Sequence, residues 1–318
     1  MRLLFITSNR LGDAVLSTSV LRHFVETRPE LRITVACGPV AAPIFEAVPN
    51  LERIIRMPKQ KRGGHWWNLW KSVVTHWWDV IIDLRGSATA YVLPGRKRIV
   101  LSGNDDSMHR VEQLGRLIGV NPPPRPKIWL DQKHITEARD LLPQDGRPIL
   151  AVGPTANWLG KMWPVDRFVD LVARLRAVDG LLPNAHVIVA GAPNERDAAM
   201  PVIESIASSD ITPLFGERSL LTVQACLAAS DLYVGNDSGL MHMAAAAAIP
   251  TLGLFGPSRV ENYGPCGEKT AFVRTDRSYD EIWSTADYRS SNSEMHDLSV
   301  EKVLAAIDDL LKREGRGG

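Results

Sequence analysis

Four loop-like segments combine charged side chains with features that could do chemistry. They contain Gly12-Asp13, Lys161, Glu195 and the run from Asp237 to His242, and each follows a strand-like stretch. A carboxylate such as Asp13 can act as a general base when it lies beside a hydroxyl group that loses its proton. It can equally be a capping residue at the start of a helix, where the helix dipole favours an acid. Spacing alone leaves both interpretations of Asp13 open.

Two consecutive predicted strands are each followed by candidate site residues. Thr155 and Lys161 follow the strand 149–153, and Glu195 follows the strand 186–190. A lysine in such a loop can neutralise a phosphate as a point charge, and a threonine hydroxyl can donate a hydrogen bond to it. The alternative for Lys161 is a solvated surface residue. Glu195 could accept hydrogen bonds from a ribose diol, or it could be an acid favoured by the dipole at a helix start.

Asp237, Ser238 and Gly239 stand where a predicted strand runs into a helix rich in alanine. The free N–H groups at the start of such a helix form an anion site, and glycine lets another group approach the backbone. His242 on the first turn could donate to a phosphate, or it could be a buried histidine of the core.

Alternating strand-like and helix-like segments must position these loops, and this alternation predicts parallel sheets covered by helices. The predicted strands are 2–7, 32–36, 54–55, 80–83 and 98–101, followed by 149–153, 186–190, 232–235 and 250–255. We predict two doubly wound Rossmann-like domains, over residues 1–145 and 146–297, and a C-terminal helix over 298–318 that could pack back on the first domain. Because ligands bind beyond the carboxyl ends of parallel strands, we expect both sheets to face a central cleft.

Composition narrows the class of protein. The 318 residues are 45% apolar and 23% charged, which is typical of a globular α/β protein, and the net charge of +1 gives no footprint for nucleic acid. Three scattered cysteines predict neither disulfides nor a thiolate metal site and fit a reducing cytoplasm. Apolar stretches are too short or too interrupted to predict a signal peptide or a spanning helix.

Residues 53–78 depart from this average. They hold six basic residues, no acidic residue and five of the nine tryptophans. A basic amphipathic helix with aromatic side chains is typical of a segment that lies on an anionic membrane. The alternative is that the tryptophans belong to the core and the cations to a solvated face. Arg56, Lys59, Lys61 and Arg62 are the predicted contacts to an acidic acceptor or to the membrane.

Several segments together resemble the heptosyltransferases of glycosyltransferase family 9, which have the GT-B fold. The resemblance covers nearly the whole chain in the right order. It rests on Gly12-Asp13, Lys161-Met162-Trp163-Pro164, the run from Asn236 to His242, and Leu254 to Ser258, with Ile81 to Gly86 and His109 to Glu112 as further similar segments.

This resemblance implies an inverting transferase that moves a heptose from ADP-heptose to the inner core of lipopolysaccharide. The first domain would bind the acceptor, the second would bind the nucleotide sugar, and the protein would be cytoplasmic and peripheral on the inner membrane. Asp13 would be the general base, and no metal or other cofactor would be needed. The implied donor contacts are Thr155 and Lys161 for the diphosphate, Glu195 for the ribose, Asp237 for the donor sugar, and Ser238, Gly239 and His242 beside the diphosphate.

Other functions stay open at this point. Leu240 stands where a proline is frequent in the family, and Asn157 and Trp158 are bulky for their loop, so the donor could be another nucleotide sugar. The acceptor could be another glycan or a protein. A non-catalytic nucleotide-sugar-binding assembly factor is the alternative from a different class, and an epimerase would need a separate acid/base pair.

Overall fold

The computed structural model describes residues 1–103, 105–285 and 292–315. Asn104, residues 286–291 and residues 316–318 lie outside the described residues, and the last of these end the segment predicted as the C-terminal helix. The chain divides into two compact units, Met1–Asp131 and Gln132–Gly318. Each unit contains one parallel sheet with helices, so the prediction of two Rossmann-like α/β domains is confirmed.

Unit 1 is built on a five-stranded parallel sheet with the strand order β3-β2-β1-β4-β5. Its strands are β1 (Arg2–Ile6), β2 (Arg32–Cys37), β3 (Leu51–Arg56), β4 (Trp78–Asp83) and β5 (Gly95–Val100). Its helices are α1 (Leu11–Thr27), α2 (Gly64–Val73), α3 (Thr89–Val92) and α4 (Arg110–Ile118). The central strand β1 is buried along nearly its whole length, as expected for a parallel sheet covered on both faces.

Helix α1 begins at Leu11, directly after the loop that leaves β1. Arg10 and not Asp13 is the N-cap residue, and Asp13 lies in the first turn, where the helix dipole favours an acid. Ile6 of β1 pairs with Asp83 of β4, which makes the carboxyl ends of these two strands neighbours. The loops that follow β1 and β4 therefore begin side by side.

Unit 2 is built on a six-stranded parallel sheet with the strand order β11-β10-β9-β6-β7-β8. Its strands are β6 (Ile149–Gly153), β7 (His186–Ala190), β8 (Ile211–Leu214), β9 (Leu232–Asn236), β10 (Thr251–Phe255) and β11 (Thr270–Arg274). Its helices are α5 (Gln132–Leu141), α6 (Val165–Arg176), α7 (Arg196–Glu204), α8 (Leu220–Ala228), α9 (Gly239–Ala246), α10 (Val260–Tyr263), α11 (Tyr279–Thr285) and α12 (Val300–Arg313). The edge strands β8 and β11 were not predicted.

Two predicted boundaries change. The division falls after Asp131 and not after residue 145, because α5 packs against α8 within unit 2 and the Thr222 hydroxyl donates to Glu137 over 2.6 Å. The last helix, α12, contacts α6, β10 and β11, all in unit 2. Its apolar side chains, among them Val303 and Ile307, are part of the core of unit 2. The C-terminal helix therefore belongs to the second unit, whereas the sequence allowed it to pack on the first.

Among the helices of the described residues, none combines the length and the apolar character that a membrane span requires.

Candidate functional site

The centre of the candidate site is an ion pair between Lys161 and Asp237. Lys161 follows β6, Asp237 follows β9, and these strands are paired through Gly153 and Gly235. The Lys161 Nζ atom lies 2.6 Å from Asp237 Oδ2. The Asp237 side chain is 10% exposed and that of Lys161 is 28% exposed, so Lys161 is not the solvated surface lysine of the alternative interpretation.

The electrostatics of this pair keep Asp237 ionised. Burial raises the pKa of the Asp237 carboxyl. The positive charge of Lys161, and after it that of His242, lowers the pKa by more than burial raises it, so the pKa lies below its ordinary value. Buried ion pairs seldom stabilise a fold more than apolar packing would, because both charges lose their hydration. A buried pair at the carboxyl edge of a parallel sheet is therefore a candidate for ligand binding.

Thr155 and Glu195 form a second contact between neighbouring loops of unit 2. The Thr155 hydroxyl donates to Glu195 Oε2 over 2.7 Å, and the backbone N–H of Ala192 donates to the same oxygen over 3.0 Å. Thr155 is buried and Glu195 is half-buried. Because the hydroxyl hydrogen of Thr155 is directed to the carboxylate, this arrangement differs from the hydrogen bond to a diphosphate that the resemblance implies.

The N-terminus of α9 lies directly after Asp237. Ser238 is its N-cap residue and makes no side-chain hydrogen bond to the helix, and Gly239 is its first residue. The first N–H groups of a helix have no intrahelical acceptor and carry the positive end of the helix dipole. His242 is buried, 4% exposed, on the first turn of this helix. Amides, Lys161 and His242 thus combine in one region that suits an anion.

A buried tyrosine explains one glycine of this site. Tyr233 is fully buried in β9, and a Cβ atom at Gly153 would lie 2.1 Å from its hydroxyl oxygen. Burial raises the pKa of the Tyr233 hydroxyl well above its ordinary value, so the group stays protonated. Gly153 therefore allows the phenol to lie beneath the carboxyl ends of β6 and β9.

Asn236 holds the loop of Lys161 in place, a role that the sequence did not indicate. It is fully buried at the end of β9, where its Oδ1 atom accepts from the backbone N–H of Trp163 over 3.0 Å. Its Nδ2 atom donates to the Pro154 carbonyl over 2.8 Å. Asn236 thereby holds both ends of the loop that carries Lys161. The one signal in the sequence was an amide side chain at the end of an apolar strand, next to a carboxylate.

The segment from Ser293 to Leu298 holds the same loop from another direction. The Ser293 hydroxyl donates to the Met162 carbonyl over 2.6 Å, and the Glu294 backbone N–H donates to the Gly160 carbonyl over 3.1 Å. The indole N–H of Trp163 donates to the Leu298 carbonyl over 2.8 Å. These contacts join residues more than 100 positions apart, and no sequence pattern indicated them.

Asp13 belongs to unit 1 and is not part of the cluster in unit 2. Its Oδ2 atom lies 3.3 Å from the Ser8 hydroxyl, which donates to it, and the Asp13 side chain is half-buried. The carboxylate thus stands at the carboxyl end of β1, on the edge where ligands of parallel α/β sheets bind.

The basic, tryptophan-rich segment 53–78 divides between core and surface. Trp78 is fully buried, and Trp66 and Trp70 pack against the core of unit 1 from half-buried positions. Trp67 and Trp77 are 54% and 60% exposed. The core interpretation therefore describes part of the segment, and two tryptophans lie on its surface.

The cations of this segment also differ from one another. Arg56 donates to Glu46 over 3.1 Å, so its charge has a local partner. Lys59, Lys61 and Arg62 are exposed and have no ion-pair partner within the part of the chain that the structure describes. They remain candidates for contacts to an external anion.

Within residues 1–103, 105–285 and 292–315, no three His, Cys, Asp or Glu side chains lie close enough together to hold a metal ion. That the activity requires no metal or other cofactor stays a prediction.

Two Rossmann-like units, each built on one parallel sheet, have the architecture of the GT-B class. The sequence model of glycosyltransferase family 9 (heptosyltransferase) matches residues 109–286, more than half of the chain, and the chain belongs to this family. The family expected from the sequence is thereby confirmed.

Individual relatives agree with this assignment. The chain is 23% identical over 362 aligned positions to lipopolysaccharide heptosyltransferase 2 of Salmonella typhimurium, an alignment that covers 99% of this chain and 100% of that protein. The structure of a family 9 glycosyl transferase from Veillonella parvula matches with a TM-score of 0.81 and 20% identity, covering 98% of this chain and 97% of the other. The structure of Escherichia coli ADP-heptose lps heptosyltransferase II matches with a TM-score of 0.75 and 20% identity, covering 99% and 100%.

Proposed function

We propose that the protein transfers a heptose from ADP-heptose to the inner core of lipopolysaccharide, with inversion at the anomeric carbon. The family and the names of the relatives support the heptosyl group and the lipopolysaccharide acceptor, and the name of the Escherichia coli structure supports the ADP-sugar. The single observation that carries the proposal is the Lys161–Asp237 pair at the N-terminus of α9, because it joins a cation and helix amides at one sheet edge.

Unit 2 would stabilise the leaving group. As the bond from the anomeric carbon to the phosphate oxygen breaks, negative charge develops on the departing ADP. Lys161 and the first amides of α9, at Ser238 and Gly239, would stabilise this charge together with His242, and one preorganised donor is typically worth about 3 kcal/mol. Asp237 would hold Lys161 in place and lie near the donor sugar. Thr155 would lie beside the diphosphate without donating to it, because its hydroxyl donates to Glu195.

Glu195 suits the ribose of the donor. Both hydrogen bonds that it accepts from the described residues fall on Oε2. Its Oε1 atom would accept from a ribose hydroxyl, and the bonds from Thr155 and Ala192 would keep the carboxylate in a fixed orientation for that contact.

Asp13 would be the general base. The acceptor hydroxyl would give its proton to the Asp13 carboxylate while its oxygen forms the new bond to the anomeric carbon and ADP leaves from the opposite face. General-base catalysis of this kind typically contributes about 100- to 10,000-fold. A single displacement with inversion needs one base and no second carboxylate, and it needs no metal if the leaving group is stabilised as described.

The acceptor is an anionic lipid, which suggests a peripheral position on the cytoplasmic face of the inner membrane. Exposed Lys59, Lys61 and Arg62 would contact acidic groups of the acceptor or of the membrane, with Arg56 in a lesser part because it pairs with Glu46. Near an anionic surface each cation is worth about 1 kcal/mol.

A donor screen tests the proposed function. Purified protein would be supplied with ADP-heptose, other ADP-sugars and UDP-sugars, with and without a deacylated heptose-deficient core oligosaccharide, and release of nucleoside diphosphate would be measured. We expect release with ADP-heptose that depends on the acceptor. Release with a different nucleotide sugar would overturn the donor, and tight nucleotide binding without any release would favour a non-catalytic binder.

A further inference from the structure

A polar cluster that the proposed mechanism does not use lies in unit 1, where β4 ends beside β1. The backbone N–H of Leu84 donates to the Ile6 carbonyl over 2.9 Å, which continues the pairing of the two strands to their carboxyl ends. Arg85 follows immediately. The loops that carry Asp13 and Arg85 therefore leave neighbouring strands at the same edge of the sheet.

The carboxylate nearest to Arg85 in the sequence is occupied by the backbone. Asp83 is fully buried, its Oδ1 accepts from the Arg85 backbone N–H over 2.8 Å, and its Oδ2 accepts from the Ser87 backbone N–H over 2.9 Å. Gly86 has a φ of +63°, and a Cβ atom there would lie 2.7 Å from the Leu101 carbonyl oxygen. These contacts fix the backbone of the loop without pairing the Arg85 guanidinium.

Arg85 is half-buried, and one nitrogen of its guanidinium lacks a partner among the described residues. Its Cζ atom lies 4.5 Å from the centre of the Trp66 ring. Its Nη1 atom is buried and has no hydrogen-bond partner among the described residues. Burial lowers the pKa of Arg85, and the Asp83 charge opposes that change only in part. A buried donor without an acceptor is costly to a fold, so a structure that retains one is suited to an external acceptor.

The surroundings of Arg85 favour an anion. His65 is buried beside Trp66, and its pKa is lowered by burial, by Arg85 and by Lys59. A neutral His65 removes no charge from Arg85, and Lys59 adds a second cation to the same region. The opposing charge is Asp83, whose carboxylate oxygens already accept from the backbone N–H groups of Arg85 and Ser87.

We propose that Arg85 binds an oxyanion of the acceptor saccharide, either a carboxylate or a phosphate, with its guanidinium stacked on Trp66. The role of this ligand as the acceptor rests on the proposed function. A guanidinium presents paired N–H groups that match the two oxygens of either anion, and stacking on a ring limits its rotation. Bound next to the loop of Asp13, the anion would orient an acceptor hydroxyl for deprotonation.

The test compares variants of Arg85 with a matched arginine of the same unit. Calorimetry would measure binding of a deacylated acidic core oligosaccharide to the wild type, Arg85→Gln, Arg85→Lys and the control Arg96→Gln. Arg96 is exposed near the amino end of β5, away from the proposed site. The same oligosaccharide would be tested after dephosphorylation and after reduction of its carboxylates.

We expect Arg85→Gln to weaken binding of the acidic oligosaccharide by about tenfold or more, because a charged, two-point contact is lost. Arg85→Lys should restore little of that loss, and Arg96→Gln should stay within about twofold of the wild type. The effect of Arg85→Gln should vanish for whichever modified oligosaccharide lacks the recognised group, which identifies it as phosphate or carboxylate. An equal loss for all three oligosaccharides, or no loss, would overturn the proposal.

A second measurement uses only the wild-type protein. It distinguishes failure of the anion site at Arg85 from failure of the proposed function. The Arg85 side-chain N–H resonance of the wild type would be followed during titration with inorganic phosphate. A saturable shift without binding of the oligosaccharide would retain the anion site but overturn its role in acceptor binding, together with the acceptor of the proposed function. No shift and no binding would overturn the anion site itself. Absence of transfer despite binding that depends on Arg85 would count against the proposed function alone.

Discussion

The carboxyl edges of the two sheets are organised differently. In unit 2, the charged side chains of the edge have partners within the unit: Lys161 pairs with Asp237, and Glu195 accepts from the Thr155 hydroxyl. In unit 1, Asp13 has one long contact from Ser8, and Arg85 has a buried nitrogen without a partner among the described residues.

This difference fits a division of labour between the units. A site whose polar groups are already oriented spends little free energy on ordering them when it stabilises charge. Such a site suits a ligand that always has the same structure, such as a nucleoside diphosphate. The edge of unit 1 has groups that still need an external partner, which suits an acceptor with its own hydroxyl and anionic groups. Variants that change residues of one unit only can test this proposed difference between the units.

The largest effect is expected for Asp13→Asn. The variant keeps the shape of the side chain but removes its basicity, so kcat should fall by about 100-fold or more. The dissociation constant for ADP-heptose, measured by calorimetry, should stay within about twofold because the residues proposed to bind the donor lie in unit 2. Glu30→Gln, at an exposed acid beyond α1, serves as the control. Unchanged turnover of Asp13→Asn would contradict the assignment of the base.

Lys161→Met should act on donor binding. We expect ADP affinity to fall by about 10- to 100-fold, the usual worth of a hydrogen bond to a charged group. The variant also leaves the Asp237 carboxylate buried without its cation, which lowers the unfolding free energy. The double variant Lys161→Met with Asp237→Asn should regain stability but not ADP affinity. If calorimetry shows unaltered ADP affinity in the single variant, Lys161 does not contact the phosphates.

Asn236→Ala tests whether the Lys161 loop must be held in place. Two buried hydrogen bonds are lost, so the unfolding free energy measured in urea should fall by about 1–3 kcal/mol. KM for the donor should rise several-fold, whereas KM for the acceptor should not change. Asn194→Ala, at an exposed asparagine of unit 2, is the matched control. Equal increases in both KM values would indicate general damage and contradict a local role.

The pH dependence of stability should reveal the Asp237 carboxylate. Its pKa is lower in the folded protein than its ordinary value of 3.8. Its contribution is therefore fully present above the unfolded pKa and is lost as the pH falls through the folded pKa. Compared with Asp237→Asn, the wild type should lose more unfolding free energy on acidification below about pH 4. A difference between the two proteins that does not change with pH would mean that folding does not shift the pKa of Asp237, and would contradict its stabilisation by Lys161.

The smallest effect on stability is expected at the exposed tryptophans. Changing Trp67 and Trp77 to serine should alter the unfolding free energy by less than about 0.5 kcal/mol each. Binding to anionic phosphatidylglycerol vesicles, measured by sedimentation, should weaken several-fold. Val40→Ser, at a side chain 64% exposed outside this segment, is the control. Vesicle binding equal to that of the wild type would show that residues 53–78 do not contact the membrane.

Sequence reasoning found the buried strands and missed strands at sheet edges. All five strands of unit 1 and four of the six in unit 2 were predicted, because most of them carry apolar runs. β8 contains Pro213, and β11 is exposed at Phe272, so neither shows the pattern of a buried strand. The unit boundary was placed too late because α5 has few buried residues, and its contact with α8 cannot be read from local sequence.

The candidate site was predictable in residue type but not in pairing. Charge and position indicated Lys161 and Asp237 as site residues. The hydrogen bond between Thr155 and Glu195 and the bridging role of Asn236 depend on contacts between loops 40 and 82 residues apart, which spacing along one chain does not specify.

Hydrogen exchange of the full-length protein with and without ADP tests the division of labour most directly. The account predicts that ADP slows amide exchange in the Lys161 loop, around Glu195 and in the first turn of α9, and leaves the loops of Asp13 and Arg85 unchanged. An acidic core oligosaccharide should do the reverse. Protection by ADP at the loops of unit 1, without protection in unit 2, would contradict the central claim.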